Sequence, residues 1–461
     1  MGRARALVAR RWFPLVLVAI VMAALQLLLT DPGREPSWDE AIYLSQVDGP
    51  AVWFGPQRSR GIVVLVAPLA GLGVPLAWIR ATLALGSSAA LVAAAAAWAP
   101  LVGARLAAAA AIVTAGSWLV LFYGSEVMPN LWSALALLGA AGLVARGLVR
   151  GDARPRWAAV ALLLAAGLFR PIDAAVAGFV LIAVSAVRTR SIRWPGWLGT
   201  AVTAGCLPWL VEMSARFGGP LGALREAAEV GRVGEGGPLA GIRLHLALAD
   251  GPAIGSDGGP VPWSAVLWWV AVLVLGVAGA LRATGSARFA VRLALAVGGT
   301  LLVAYVGLVG GEAPRYLLPA IFLLVMAAVV GAATLPPKAI VACAVIGLAW
   351  VGWQVGVLRD VHAEAVAQRR GAHLVGEFVR SLAGEGPCVV FATSDYPQIG
   401  YASGCRALWL RDDSRMDVSV GTAGPGFLVT SSEHPARGEL IPFARGGGYL
   451  IYRLGPASPT E

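Results

Sequence analysis

Long apolar runs separated by short polar links make up most of the first 357 residues. A helix needs roughly 20 apolar residues to cross the hydrocarbon core of a bilayer, so the pattern predicts an α-helical polytopic membrane domain over 1–357 with about eleven spans. The predicted spans lie near residues 13–29, 78–99, 103–123, 129–149, 157–169, 172–187, 196–213, 263–281, 289–309, 316–334 and 338–357. The apolar segment Ile62–Leu76 contains two prolines, which favours a re-entrant or interfacial segment, with a true span as the alternative.

The links between the runs carry arginine in an alternating pattern. Counting from an Arg-rich N-terminus, cations fall on every second link, as expected when positive loops stay in the cytoplasm. These link cations are Arg105, Arg146, Arg150, Arg154, Arg156, Arg188, Arg190, Arg193, Arg282, Arg288 and Lys338. The first run could instead be a secretory signal, but no small-residue cleavage site follows it. We therefore expect a multi-pass plasma-membrane protein with a cytoplasmic N-terminus and its C-terminal region outside.

The pattern changes after residue 357. Residues 362–383 read as an amphipathic helix, and short β-rich runs separated by Gly, Pro, Ser and Asp follow it. These runs are Cys388–Ala392, Ala407–Leu410, Gly426–Thr430 and Tyr449–Arg453. We predict a small extracytoplasmic α/β domain over 358–461. In that location Cys388 and Cys405 are expected to form a disulfide, which the chain-entropy model values at roughly 3 kcal/mol.

Composition narrows the class of protein. The chain is 58% hydrophobic and 13% charged, with a mean hydropathy of +0.73, which excludes an ordinary soluble protein. A net charge of +10 is also found in proteins that bind nucleic acids. Because the cations lie between apolar runs, membrane topology explains the charge and no nucleic-acid partner is expected.

The predicted topology gathers the polar candidates on the outer face. A first loop over 31–77 contains adjacent carboxylates, Asp39 and Glu40, and a long loop spans 214–262. Acids beside a bilayer are costly unless they serve a purpose, and a carboxylate suits removal of a proton from a hydroxyl. A structural alternative is a helix start, with Ser37 as N-cap and both acids in the first turn.

Three other sites in the sequence could carry chemistry, each beside a structural alternative. Glu126 could orient an acceptor or be a solvated turn acid. Arg170 could face an anionic lipid group or simply pair with Asp173. Arg315 and Tyr316 lie in the segment Pro314-Arg315-Tyr316. Arg315 could bind a phosphate, because a guanidinium group binds phosphate in a bidentate manner. The structural alternative is that the Arg-Tyr pair anchors the helix at the membrane interface.

Other constellations are missing from the sequence. His245, in the long loop, could be a substrate ligand or an ordinary residue, and the four histidines lack metal-ligand spacing. There is no Gly-x-x-x-x-Gly-Lys phosphate loop and no Gly-x-Ser-x-Gly elbow. Direct use of ATP is not expected. The acid pair with Glu126 could hold a divalent metal, but no ligand set is evident in the sequence, so no metal or other cofactor is predicted.

Taken in order, these motifs resemble the GT-C superfamily of membrane glycosyltransferases. The likeness is to the bacterial branch around protein mannosyltransferases and the aminoarabinose transferases of lipid A, and its layout covers most of 1–357. At residue level it rests on Trp38-Asp39-Glu40-Ala41-x-Tyr43, Ser125-Glu126, Arg170-Pro171 and Pro314-Arg315-Tyr316.

The resemblance implies inverting transfer of a sugar from a polyprenyl-phosphate donor to a glycan, lipid or protein of the cell envelope. It would make Asp39 the general base, Glu40 a holder of the acceptor or loop, and Arg315, with Arg170, the partner of the phosphate leaving group. The first loop departs from the family in having few other acids and no clear histidine after the pair.

Two rival functions are a transporter or flippase of a lipid-linked sugar and a non-catalytic membrane scaffold. Transporters often have repeated halves with broken helices, and no such repeat is evident here.

Overall fold

The structure is a computed structural model that describes residues 2–49, 52–152, 154–230, 242, 263–308, 314–410, 425–430, 439–441 and 449–454. Most of these residues are helical. The helices are α1 (Gly2–Leu29), α2 (Trp38–Leu44), α3 (Gly61–Ala70), α4 (Leu76–Val102), α5 (Ala104–Ala115), α6 (Trp118–Tyr123), α7 (Pro129–Arg150), α8 (Pro155–Phe169), α9 (Pro171–Thr189), α10 (Arg193–Phe217), α11 (Pro220–Val230), α12 (Trp263–Arg282), α13 (Gly285–Leu308), α14 (Leu318–Ala332), α15 (Pro337–Ala383) and α16 (Tyr396–Ser403). A short 3₁₀ helix, Pro314–Leu317, precedes α14.

Within the described ranges, eight helices are long and apolar enough to cross a membrane. Three shorter apolar helices, α3, α5 and α8, accompany them. The helix α10 is long but is not among the eight, and it carries Pro208 and Glu212 in its interior. The membrane character of the chain follows from these helices, whereas the number of about eleven spans stays a prediction.

One predicted span is broken. The run 103–123 forms two helices, α5 and α6, that meet at Gly116 and Ser117. The amide of Trp118 donates to the side-chain oxygen of Gln354 at 3.1 Å. A Cβ on Gly116 would lie 2.6 Å from the side chain of Val351, so only glycine lets α15 approach here. The Gly116-Ser117 pair is a break signal that the sequence contains, and contacts with Gln354 and Val351 of a distant helix fix the chain there.

The chain divides into two compact units. The first unit consists of Met1–Pro32, Pro56–Ile62 and Arg80–Val361. The second consists of Gly33–Gly55, Val63–Ile79 and His362–Glu461. Most of the predicted first outer loop is thus grouped with the C-terminal region and not with the spans that flank it in sequence.

In the first unit, α7 and α14 form the interior. Both have 78% of their apolar window buried. Small residues allow this close packing, and the indole Nε1 of Trp98 donates to the carbonyl of Leu138 at 2.9 Å. A Cβ on Gly142 would lie 2.7 Å from that same nitrogen, so glycine makes room for the tryptophan. Within a membrane the hydrophobic effect does not drive helices together, so small residues that allow close van der Waals packing are common at helix–helix contacts.

The second unit contains a mixed sheet in its described part. The strands are β1 (Val389–Ala392), β2 (Arg406–Trp409), β3 (Gly426–Thr430), β4 (Glu439–Ile441) and β5 (Leu450–Leu454). Their order is β2-β1-β3-β5-β4, with β1 parallel to β2 and β3, and β5 antiparallel to β3 and β4. Phe391, Leu428 and Tyr452 form an apolar cluster on one face.

The prediction of an α/β region is confirmed, and four strands coincide with the predicted runs to within a residue or two at each end. The short strand β4 and the helix α16 were not predicted. The helix begins with Pro397 in its first turn, a start signal that the sequence does contain. Residues 362–383 are helical as predicted, but they continue the preceding span as one helix of 47 residues. Cys388 and Cys405 form a disulfide that joins the chain next to β1 and β2.

Candidate functional site

The acid pair opens the short helix α2 in the second unit. Ser37 is its N-cap: the side chain of Ser37 accepts from the amide of Glu40 at 3.3 Å, and the Glu40 carboxylate accepts from the amide of Ser37 at 3.0 Å. This reciprocal capping box satisfies two amides that a helix start leaves without partners. The helix-start interpretation of the sequence is confirmed.

Glu40 is fully buried and is held from a second direction. Its carboxylate lies 3.6 Å from the guanidinium of Arg369, whose side chain is 5% exposed. The same guanidinium donates to the carbonyl of Glu35 at 3.4 Å. Because Glu40 closes the capping box and faces a buried cation, its carboxylate is used to fix the loop on α15.

Aromatic contacts fix the other side of the acid pair. The ring of Trp38 meets Tyr396 of α16 edge-on, with centroids 5.1 Å apart. Tyr396 stacks in turn on Trp409 of β2 at 6.2 Å, and Gln398 donates to the carbonyl of Pro36 at 3.5 Å. Asp39 stands between two anchored residues, Trp38 and Glu40. It is the partly exposed member of the acid pair, whereas Glu40 is buried.

In the first unit, Arg170 lies at the junction of α8 and α9. Its Nε is 2.9 Å from the carboxylate of Asp173, and its terminal nitrogen donates to the hydroxyl of Tyr305 at 2.8 Å. Asp173 is fully buried and also accepts from Ser133 at 3.0 Å and from Tyr305. The predicted ion pair between Arg170 and Asp173 is confirmed, and Tyr305 is an additional member that the sequence did not reveal.

The charge of Arg170 is secured by these contacts. Burial disfavours the guanidinium, but the negative charge of Asp173 and the phenolic oxygens of Tyr305 and Tyr316 outweigh it. The pKa of Arg170 is therefore raised above its ordinary value. Arg170 stays a cation, and its charge is largely compensated by the carboxylate beside it.

Tyr316 joins the two predicted cations. The guanidinium of Arg170 lies 4.7 Å from the ring centre of Tyr316, and that of Arg315 lies 5.5 Å from it. The ring also stacks on Tyr305 at 6.0 Å, and Arg315 lies 5.8 Å from the ring of Tyr123. We call the set Tyr123, Arg170, Tyr305, Arg315 and Tyr316 the arginine–tyrosine cluster. Cation–π contacts of this kind hold guanidinium groups in place without consuming their N–H donors.

Glu126 lies in the turn between α6 and α7 and is only 1% exposed. The alternative of a solvated turn acid is therefore wrong. The turn is tied down beside it, because Ser125 is within 3.3 Å of the Thr30 hydroxyl and the carbonyl of Gly124 accepts from Ser87 at 2.9 Å. A Cβ on Gly124 would lie 2.8 Å from the backbone carbonyl oxygen of Val120, which favours glycine before Ser125-Glu126.

The predicted residues thus fall into two groups. Arg170, Arg315 and Tyr316 come together in the first unit, and Asp39 and Glu40 share one helix in the second. His245 lies outside the described residues. Among the residues that the structure describes, no group of three or more His, Cys, Asp and Glu could hold a metal ion. Sequence reasoning missed Tyr305 and Arg369, which are separated from their partners by more than 130 residues.

Removal of the Asp173 carboxylate is expected to destabilise the protein. In Asp173→Ala, Arg170 keeps its charge but loses its buried partner, and breaking such a pair costs about 3–5 kcal/mol. Ser133→Ala removes one hydrogen bond to the same carboxylate and should cost about 1 kcal/mol. Thermal unfolding of the purified variants measures both effects. Equal unfolding temperatures for Asp173→Ala and the unchanged protein would contradict a stabilising role for the pair.

Solved structures of several other proteins share this architecture. ArnT from Cupriavidus metallidurans, crystallised with undecaprenyl phosphate, is 14% identical, with a TM-score of 0.68 over 96% of this chain and 99% of ArnT. The Archaeoglobus fulgidus oligosaccharyltransferase, tethered to an acceptor peptide, is 14% identical with a TM-score of 0.52. That match covers 86% of this chain and 64% of the archaeal chain. The chain has the GT-C fold.

The arabinofuranosyltransferase AftD from Mycobacteria gives a third match, with 18% identity and a TM-score of 0.51. It covers 97% of this chain but only 40% of AftD. No protein-family model matches the sequence, and the comparison with curated proteins found no match. At these identities the comparisons establish the fold, and the GT-C likeness seen in the sequence is confirmed at that level.

Proposed function

We propose that this GT-C protein is an inverting glycosyltransferase that moves a sugar from a polyprenyl-phosphate donor to a cell-envelope acceptor. One observation carries the proposal: in a GT-C fold, the guanidinium groups of Arg170 and Arg315 lie 4.7 Å and 5.5 Å from the ring centre of the same tyrosine, Tyr316. Guanidinium groups fixed in this way suit a phosphate that gains negative charge as it departs. The acceptor is a hydroxyl-bearing glycan, lipid or protein.

The two arginines have different tasks in this proposal. Arg170 is compensated by Asp173, so it adds little net charge and serves to position Tyr305 and Tyr316. Arg315 packs between Tyr123 and Tyr316, and it provides the charge that the phosphate requires. Leaving-group stabilisation in a site of low dielectric is worth several kcal/mol.

Asp39 is the general base. The acceptor hydroxyl oxygen attacks the anomeric carbon, and its proton passes to the Asp39 carboxylate. The bond from that carbon to the phosphate oxygen breaks, and the electron pair leaves with polyprenyl phosphate, so the configuration inverts. The partial exposure of Asp39, between two anchored neighbours, supports its role as the base. The burial of Glu40 supports a different role for Glu40, which holds the loop. The activated donor removes any need for a nucleotide.

The glycosyltransferase and the flippase make different products. Full-length protein in liposomes would receive polyprenyl-phosphate sugars labelled in the sugar, with envelope extracts as acceptor, and empty liposomes would be the control. Transfer gives unlabelled polyprenyl phosphate and labelled acceptor. A flippase moves label between leaflets with the sugar–phosphate bond intact. Neither event with any donor would leave a scaffold as the explanation and would overturn the proposal.

We infer an orientation with the N-terminus in the cytoplasm and the C-terminal domain outside. Two exposed positions test it: Ser381, near the end of α15, and Thr284, between α12 and α13. In intact cells a membrane-impermeant maleimide should label Ser381→Cys and not Thr284→Cys, with Cys206 and Cys343 replaced by serine. Labelling of Thr284→Cys alone would reverse the orientation.

A further inference from the structure

A groove lies between α4, α7 and α8 in the first unit. Its volume is about 690 Å³, within the range of small-molecule sites, and alanines make up much of its lining. Ala93, Ala158 and Ala161 are exposed along it. The three helices leave this space because alanine side chains are too short to fill it.

The two ends of the groove differ chemically. At one end Trp132 of α7 stacks on Phe169 of α8, with centroids 6.2 Å apart. This is the end at which Arg170 follows Phe169 and Ser133 follows Trp132. At the other end lies Arg146, fourteen residues after Trp132 in α7, or about 21 Å along the axis at roughly 1.5 Å per residue.

Arg146 gives the far end a positive charge. Its Nε is buried and has no hydrogen-bond partner among the described residues, although buried polar groups rarely lack one. Trp12, at the start of the apolar part of α1, lines the same groove. Tryptophan and arginine together mark the headgroup level of a membrane.

We propose that this groove holds an anionic phospholipid, with one acyl chain along the alanines and its phosphate on Arg146. The length from Arg146 to Trp132 exceeds half of the roughly 30 Å hydrocarbon core, which suits one chain from a single leaflet. A phosphate fits the vacant donor at Arg146 and adds the charge that a guanidinium pairs with best. The arginine–tyrosine cluster lies at the opposite end, so this lipid belongs to the other leaflet from the proposed sugar donor.

Native mass spectrometry of the full-length protein, titrated with phosphatidylglycerol or phosphatidylcholine, tests the proposal. We expect one tightly bound phosphatidylglycerol, with affinity at least about tenfold lower in Arg146→Gln and in Ala93→Phe. Ala186→Phe, an exposed change on α9 at a residue that does not line the groove, and Arg154→Gln, an exposed arginine near the same end, should bind like the unchanged protein. Arg146→Lys should retain most of the binding.

Three results would overturn the proposal. The first is unchanged phosphatidylglycerol binding in both Arg146→Gln and Ala93→Phe. The second is equal affinity for phosphatidylcholine, which would make the groove a non-specific lipid contact. The third is displacement of phosphatidylglycerol by equimolar polyprenyl phosphate, which would assign the groove to the donor. If Ala93→Phe does not fold, the comparison of Arg146→Gln with Arg146→Lys decides the matter.

Discussion

Asp39→Asn is expected to lower the rate of sugar transfer by about 100- to 10,000-fold, the range associated with loss of a general base. Asparagine keeps the size and polarity of the side chain but cannot take the acceptor proton. The capping box uses Ser37 and Glu40 and does not involve the Asp39 carboxylate, so α2 should remain folded. Initial rates with a labelled polyprenyl-phosphate sugar, at equal protein level, measure the effect.

The matched control is Asp48→Asn, an exposed aspartate in the same unit. It changes the local charge by the same amount and should leave the rate within about twofold of the unchanged protein, because surface charges away from a site contribute little. Donor binding by Asp39→Asn should also be unchanged, since the base acts on the acceptor. Equal rates for the two variants would remove Asp39 as the base and direct attention to Glu126.

Arg315→Gln should lower transfer by about 100- to 1,000-fold, the loss found when one stabiliser of a developing negative charge is removed. The effect should appear mainly in kcat, because the phosphate gains charge in the transition state. Arg315→Lys should recover part of the rate: lysine restores the charge but not the bidentate geometry or the stacking on Tyr123 and Tyr316.

Arg105→Gln provides the control for net charge, because Arg105 is exposed and lies on a predicted cytoplasmic link. It should transfer sugar at the normal rate. If Arg315→Gln raised KM and left kcat unchanged, Arg315 would serve binding alone. If Arg315→Gln changed neither kcat nor KM, another group would have to bind the phosphate. The proposed role of the arginine–tyrosine cluster in binding the leaving group would then be wrong.

The sequence predicted the parts of this structure that depend on local pattern. Apolar runs located the long helices, and short β-rich runs located four of the strands. The pairing of Arg170 with Asp173 was one of the two alternatives that the sequence offered for Arg170, and it is correct. The contact that fixes the chain at the Gly116-Ser117 break comes from Gln354, and the burial of Glu40 depends on Arg369. Contacts of this kind join residues hundreds of positions apart, and no periodicity in either segment records them.

The roles proposed for Asp39 and Glu40 also depend on contacts that the sequence does not reveal. Sequence resemblance made Asp39 the general base and Glu40 a holder of the acceptor or loop, although nothing in the local pattern of residues distinguishes two adjacent acids at one helix start. Burial separates them, because Glu40 is enclosed by Ser37 and Arg369 whereas Asp39 is partly exposed. Tyr305 was missed because a tyrosine inside an apolar run reads as packing, and only the fold reveals that its hydroxyl meets Arg170 and Asp173.

The division of the chain into two units has a consequence for how such an enzyme changes over evolution. The groups proposed for the donor phosphate belong to the first unit, and the proposed base belongs to the second, with the C-terminal region. Substitutions that alter acceptor preference can therefore accumulate around α2, α15 and α16 while Arg170, Arg315 and Tyr316 stay as they are. A lineage can in this way keep one lipid-linked sugar and acquire new recipients for it.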